Sequence, residues 1–177
     1  ILSLSIKRLK KNLLDILDFT KKQPLDKCEC DVNEELKHTL NSLKWISGYK
    51  KFKVQVQLDA ALPQVEIDPE RIGLMTLNLL LHAIDQVADN EGLIQLQTKH
   101  DPQRNQVEIR ITDNSPAYSP ELQQQLFTPH ETHQQRFGTG IGIVLAQQIA
   151  SQHEGRIELA CANGANSLAV ILPVKNA

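Results

Sequence analysis

The chain has 177 residues, 41% of them hydrophobic and 23% charged, which suits one ordinary domain with a proper core and a small appendage. A formal net charge of −2, with no Lys/Arg stripe interleaved with aromatics, excludes a field for nucleic acid. No apolar run approaches a membrane span, no signal-peptide pattern opens the sequence, and three cysteines leave an odd thiol, which predicts a reducing compartment.

Residues 1–20 read as a helix. Leu2, Ile6, Leu9, Leu13, Ile16 and Thr20 fall at alternating spacings of four and three, a heptad seam that calls for a partner helix. No second helix of matching length precedes it, so the chain is expected to be cut here. The stretch KKQPLDK breaks the pattern, and Pro24 holds Gln23 extended, as in a linker. Cys28 and Cys30 form a C-x-C pair. A structural zinc site wants four ligands and nothing supplies the other two, so the pair reads as two thiols on one face of an extended segment.

A second helix begins at Asp31, with Asp31 and Glu34 spaced as a capping box and Val32, Leu36, Leu40 and Leu43 as its apolar stripe. KFKVQVQLD alternates, placing Phe52, Val54, Val56 and Leu58 on one face of a half-buried strand. DPERIGLMTLNLLLHAIDQVAD is the longest helix signal: Pro69 suits its first turn, and Ile72, Met75, Leu79 and Ala83 form one face. LIQLQTK and QVEIRITD read as strands joined by a turn at Asp101-Pro102. PELQQQLF is a short helix, a longer helix ends near Gly155, and RIELACANGANSLAVILP is a hairpin around Asn163-Gly164. Alternation in residues 51–58, 93–99, 106–112, 156–161 and 167–172 predicts an α+β fold with a mostly antiparallel sheet and helices on one face, a two-layer sandwich.

FGTGIGIVLA places Gly138, Gly140 and Gly142, three of the eight glycines, at the start of that longer helix. Unpaired N–H groups and the helix dipole favour an anion there, and glycine lets backbone approach a phosphate closely. A turn with close helix packing is the other reading of the same glycines. No strand feeds the motif directly, as a Rossmann fingerprint requires, and no Lys-Ser/Thr follows Gly142, as a Walker loop requires.

Taken together, LNLLLHAIDQV, ITDNSPAYSP, LFTP and GTGIGIVLAQQIASQHEG resemble, in order and spacing, the boxes of the ATP-binding domain of sensor histidine kinases, the Bergerat-type fold shared with DNA gyrase, mismatch-repair and chaperone ATPases. The resemblance covers roughly residues 24–174. It implies two domains: 1–23, the end of the second helix of a dimerisation and phosphoacceptor hairpin with its linker, and 24–177, the catalytic domain. The hairpin's first helix would carry the phosphorylated histidine, and none of the chain's six histidines, His38, His82, His100, His130, His133 and His153, lies in such a motif.

Site residues follow from the same resemblance. Asn78 matches the first polar position of the N box and is the expected catalytic residue. The second position, normally an Mg²⁺-holding asparagine, falls on His82, with Asp85 three residues on. Asp113 matches the aspartate that accepts the adenine amino group's hydrogen bond. Phe127 and Pro129 match the F box. Gly138, Thr139, Gly140, Ile141 and Gly142 match the second glycine box, whose amides face the phosphates, and Thr128 to Phe137 would form a short mobile lid. The implied cofactors are ATP and Mg²⁺. The implied partners are a phosphoacceptor hairpin of the same or a sister protomer and a response regulator receiver domain, in a full-length homodimer. The implied location is cytoplasmic, as the cytoplasmic part of a bacterial sensor.

Two boxes depart from the pattern. The usual D-x-G-x-G reads Asp113-Asn114-Ser115-Pro116-Ala117; if those positions need positive φ, each side chain costs about 1 kcal/mol or more, and Ser115 and Ala117 are expected to crowd the base. His82 replaces an amide oxygen by imidazole, a poor ligand for a hard cation, so a structural role is expected for it. Three functions fit: a working kinase module, a degenerate module used for docking, and a serine-directed ATPase of the same fold, which the heptad helix disfavours.

Overall fold

The computed structural model describes residues 24–43, 52–87, 91–128, 141–162 and 164–174. The predicted helix at 1–20, the domain boundary at 23, the lid beyond Thr128, and Gly138, Thr139 and Gly140 all lie outside the described residues.

The first strand among the described residues, β1 (Cys28–Cys30), pairs antiparallel with β3 (Val65–Ile67) in a separate two-stranded ribbon. Helix α1 (Val32–Leu43) follows, with Asp31 Oδ1 accepting from the Asn33 amide at 2.8 Å. The expected box partner Glu34 instead accepts from Lys37 at 2.6 Å. Val32, Leu36 and Leu43 are buried.

Strand β2 (Phe52–Gln57) is an edge strand lying parallel to β4 (Gly92–Asp101). Among the described residues its predicted apolar face is only partly covered, and Val56 is 44% exposed. Helix α2 (Pro69–Gln86) is capped by Asp68, whose Oδ1 accepts from the Arg71 amide at 3.1 Å. Pro69 at its first position costs no hydrogen bond.

Strand β4 runs antiparallel to β5 (Gln106–Asp113). The turn between them is held by Asp101 Oδ1, which accepts from the amides of Gln103 and Arg104 at 3.0 and 3.1 Å. The short helix α3 (Pro120–Gln125) and helix α4 (Gly142–Gln152) precede the hairpin of β6 (Arg156–Ala162) and β7 (Ala165–Pro173). Gly164 in that turn has φ +73, where a Cβ would be strained.

The large sheet has the order β2-β4-β5-β7-β6, with every pairing antiparallel except β2–β4. Period-two alternation turns Ile94 and Leu96, Val107, Ile109 and Ile111, and Leu168, Val170 and Leu172 toward the helices. There they meet Ile72, Met75 and Leu79 of α2 and Leu145 and Ile149 of α4. The mixed, mostly antiparallel sheet with its helices on one face is the expected architecture.

Candidate functional site

The inward row of β5 continues past Val107, Ile109 and Ile111 to Asp113, so parity alone puts a carboxylate at the end of the core face. Asp113 is 5% exposed. Burial pushes its carboxyl above the ordinary value, opposed by hydrogen bonds from Ser115 and Asn166. Asp113 Oδ1 accepts from the Ser115 amide at 2.9 Å and from the Ser115 hydroxyl.

Directly opposite Asp113 in the β5–β7 register stands Asn166, which is 1% exposed. Its Nδ2 donates to Ser115 Oγ and to the Pro116 carbonyl, each at 2.9 Å. Its Oδ1 accepts from the Tyr118 amide at 3.1 Å. One β7 side chain therefore ties down the whole loop after Asp113. The side chains at 115 and 117 are not strained. Among the described residues other than glycine, only Asn105 and Glu154 have positive φ, so the cost foreseen for replacing the two glycines does not arise. Ser115 is buried and occupied with Asp113, and Ala117 is exposed.

Helix α2 carries Asn78 and His82 one turn apart on the side facing α4 and the Asp113 loop. Asn78 is 3% exposed and donates from Nδ2 to the Leu74 carbonyl at 2.9 Å. Gly142, the first residue of α4, lies so close that a Cβ there would sit 2.9 Å from Asn78 Oδ1. The absent side chain at 142 thus serves close approach of two helices. Ile141 is the N-cap residue of α4 and its own side chain makes no cap hydrogen bond.

His82 is buried, and its Nε2 lies 2.9 Å from Tyr118 Oη, with the rings edge to face at 6.0 Å between centroids. The phenol is buried as well, and its pKa is pushed up by burial first and by Asp113 second. Asp85 is half-buried on the same helix, and Phe127 is half-buried after α3, packed against the core. No group of three or more His, Cys, Asp or Glu side chains suited to a metal occurs among the described residues.

His153 lies at the far end of α4 from Gly142. Its Nε2 accepts from the Asp68 amide at 3.0 Å, and its Nδ1 faces the Ile149 carbonyl at 2.8 Å. The ring is therefore neutral with the proton on Nδ1, and burial lowers its pKa. Asp68 in turn caps α2 and accepts from the Asp26 amide at 3.0 Å. The two helices that flank the candidate pocket are locked together by this histidine.

Tyr118, Asn166 and the His153–Asp68 lock were not read from the sequence. Asn166 had a signal: extending the inward row Leu172, Val170, Leu168 back by two places reaches it.

The family model described as Histidine kinase-, DNA gyrase B-, and HSP90-like ATPase matches residues 67–176. Sensor histidine kinase ZraS of Salmonella typhimurium is 27% identical over 168 residues, covering 94% of this chain and 36% of that protein. Sensory histidine kinase/phosphatase NtrB of the same organism is 32% identical over 125 residues, covering 66% of this chain and 36% of that protein. The chain thus spans about a third of the length of these curated relatives. The solved catalytic domain of histidine kinase ThkA superposes with a TM-score of 0.75 at 21% identity, covering 85% of this chain and 97% of that one. ThkA in complex with response regulator protein TrrA superposes with a TM-score of 0.79 at 20% identity, covering 97% of this chain and 48% of that one. At such identity the likeness establishes the fold.

Proposed function

Because the chain belongs to the histidine kinase-, DNA gyrase B- and HSP90-like ATPase family as an ATP-binding catalytic module, we propose that it transfers the γ-phosphate of ATP to a histidine on a dimerisation and phosphoacceptor hairpin. The observation that carries this reading is Asp113, a buried carboxylate at the end of an inward strand row where apolar residues would otherwise continue. Such a group accepts the amino N–H of adenine and rejects bases that present only an acceptor at that place. The start of α4, at Ile141 and Gly142, supports phosphate binding, since its N–H groups and dipole favour anions. Gly138, Thr139 and Gly140 precede it and are assigned to the same phosphate turn. Asn78, packed on Gly142, is assigned to act at the transferring phosphate, and Phe127 to the base of the lid.

His82 does not fit Mg²⁺. The cation prefers oxygen, whereas His82 offers imidazole nitrogen and already faces Tyr118 Oη at 2.9 Å. This hydrogen bond is the specific observation that favours the second reading, a module that keeps the fold, binds nucleotide weakly and acts by docking.

The full-length partners follow from the relatives. We assign residues 1–23 to the hairpin, 24–177 to the catalytic domain, and the whole to a homodimer that passes phosphate to a response regulator receiver domain on the cytoplasmic side. The ThkA–TrrA complex supports a regulator partner. Among the described residues no helix is long and apolar enough to cross a membrane. The test is transfer of label from γ-labelled ATP to a separately supplied phosphoacceptor hairpin. Label on the hairpin histidine, lost with Asp113→Ala, supports the kinase reading; nucleotide binding without transfer supports docking.

A further inference from the structure

Two thiols converge in the small ribbon, away from the residues assigned to nucleotide. In the β1–β3 pairing Cys28 stands opposite Ile67 and Cys30 opposite Val65, so both cysteines share the face of these two buried side chains. Glu29 and Glu66 take the other face. Cys28 is exposed and Cys30 half-buried against the core, and their Sγ atoms are 2.6 Å apart, inside the contact distance of two unbonded sulfurs. Cys161, the third cysteine, belongs to β6 in the other sheet.

We propose that Cys28 and Cys30 are a reactive dithiol that hydroperoxides oxidise reversibly to a disulfide within β1. Burial, reinforced by the hydrogen bond with Cys28, pushes the Cys30 thiol up to about 11, so Cys30 keeps its proton at neutral pH. The exposed Cys28 attacks first, its sulfur on a peroxide oxygen and its proton given up. The O–O bond breaks, the departing oxygen takes a proton and leaves as water or alcohol, and Cys28 becomes a sulfenic acid. The Cys30 sulfur then attacks the Cys28 sulfur, the S–S bond forms, and hydroxide leaves with the Cys30 proton as water. The thiol pair loses two electrons and two protons, and the peroxide is reduced by the same amount.

The product is built to be labile. Residues two apart along a strand have Cα atoms about 6.6 Å apart, at the upper end of the roughly 4.4–6.8 Å that a disulfide spans. A strained, accessible disulfide is readily reduced, and β3 runs directly into Asp68, the cap of α2. Oxidation therefore acts on the segment that positions the start of that helix.

Trypsin separates the relevant thiols: cleavage after Lys27 and Lys37 gives one peptide with Cys28 and Cys30, and cleavage after Arg156 and Lys175 gives another with Cys161. The chain is treated with a small excess of hydrogen peroxide, alkylated with iodoacetamide, digested and weighed. The expected 28–37 peptide carries no alkyl group, is lighter by two hydrogens, and returns to the doubly alkylated form after dithiothreitol. In Cys30→Ser, which cannot close the ring, dimedone should trap a sulfenic acid at Cys28. Double alkylation after oxidation, linkage to the Cys161 peptide or to a second copy, or stable sulfinic and sulfonic products in the unmodified chain would each overturn the proposal.

Discussion

Asn166→Ala should destabilise the chain well beyond the range of a surface substitution. The amide is 1% exposed and makes short bonds to three loop groups: Ser115 Oγ and the Pro116 carbonyl at 2.9 Å, and the Tyr118 amide at 3.1 Å. Truncation loses two hydrogen bonds of about 0.5–1.5 kcal/mol each and strands the buried Tyr118 N–H, at about 1–3 kcal/mol. Together the loss is about 2–6 kcal/mol, or a fall in Tm of roughly 4–24 °C for a chain of this size. Urea unfolding reads it as a lower midpoint at unchanged slope. Asn166→Asp separates the parts: it keeps an acceptor for Tyr118 but puts a second carboxylate beside Asp113. Its deficit should match or exceed that of alanine at neutral pH and shrink as pH falls and the carboxyl protonates. A loss below about 0.5 kcal/mol for Asn166→Ala, the range of surface substitutions, would refute the claim that this side chain organises the loop.

Three further outcomes are expected. Asp113→Ala should cost adenine nucleotide about 1.5–3 kcal/mol of affinity, the worth of a hydrogen bond to a charged group, whereas unchanged titration curves would reduce Asp113 to a turn residue. His153 has a lowered pKa in the fold, so the unfolded chain binds its proton first as pH falls. Stability should decline from about pH 6.5 down to the lower folded value, Lys27 reinforcing the depression and Asp68 opposing it. His153→Gln should lose this slope, and a gap between the two proteins that stays constant from pH 7.5 to 5 would refute it. Gly142→Ala places a methyl 2.9 Å from Asn78 Oδ1. Alanine's helix preference, worth up to ~1 kcal/mol, should hold stability nearly level while nucleotide affinity falls several-fold; unaltered affinity would show that Asn78 gives way freely.

Much of this molecule is written locally. Asp68-Pro69 announces α2, the alternation of Val107, Ile109 and Ile111 delivers Asp113 to the core face, and Asn163-Gly164 marks the last hairpin. What escaped the sequence is short or distant. Strands of three residues, such as β1 and β3, show no period to detect. Tyr118 meets His82 across 36 positions and Asn166 across 48, and no local preference encodes either contact. Val56 alternates correctly yet stays exposed, because pattern reports which face a residue takes and not whether a helix covers it. The glycine positions lost at Ser115 and Ala117 looked like strain, but the loop keeps ordinary φ there and Ser115 bonds to Asp113 instead.

Calorimetric titration of the chain with a non-hydrolysable ATP analogue, with and without Mg²⁺, tests the central claim most directly. The predicted result is binding that disappears with Asp113→Ala, gains little from Mg²⁺, and becomes at least tenfold tighter with Mg²⁺ in His82→Asn, about 1.4 kcal/mol. No adenine nucleotide binding by the unmodified chain, or equal binding by Asp113→Ala, would contradict it.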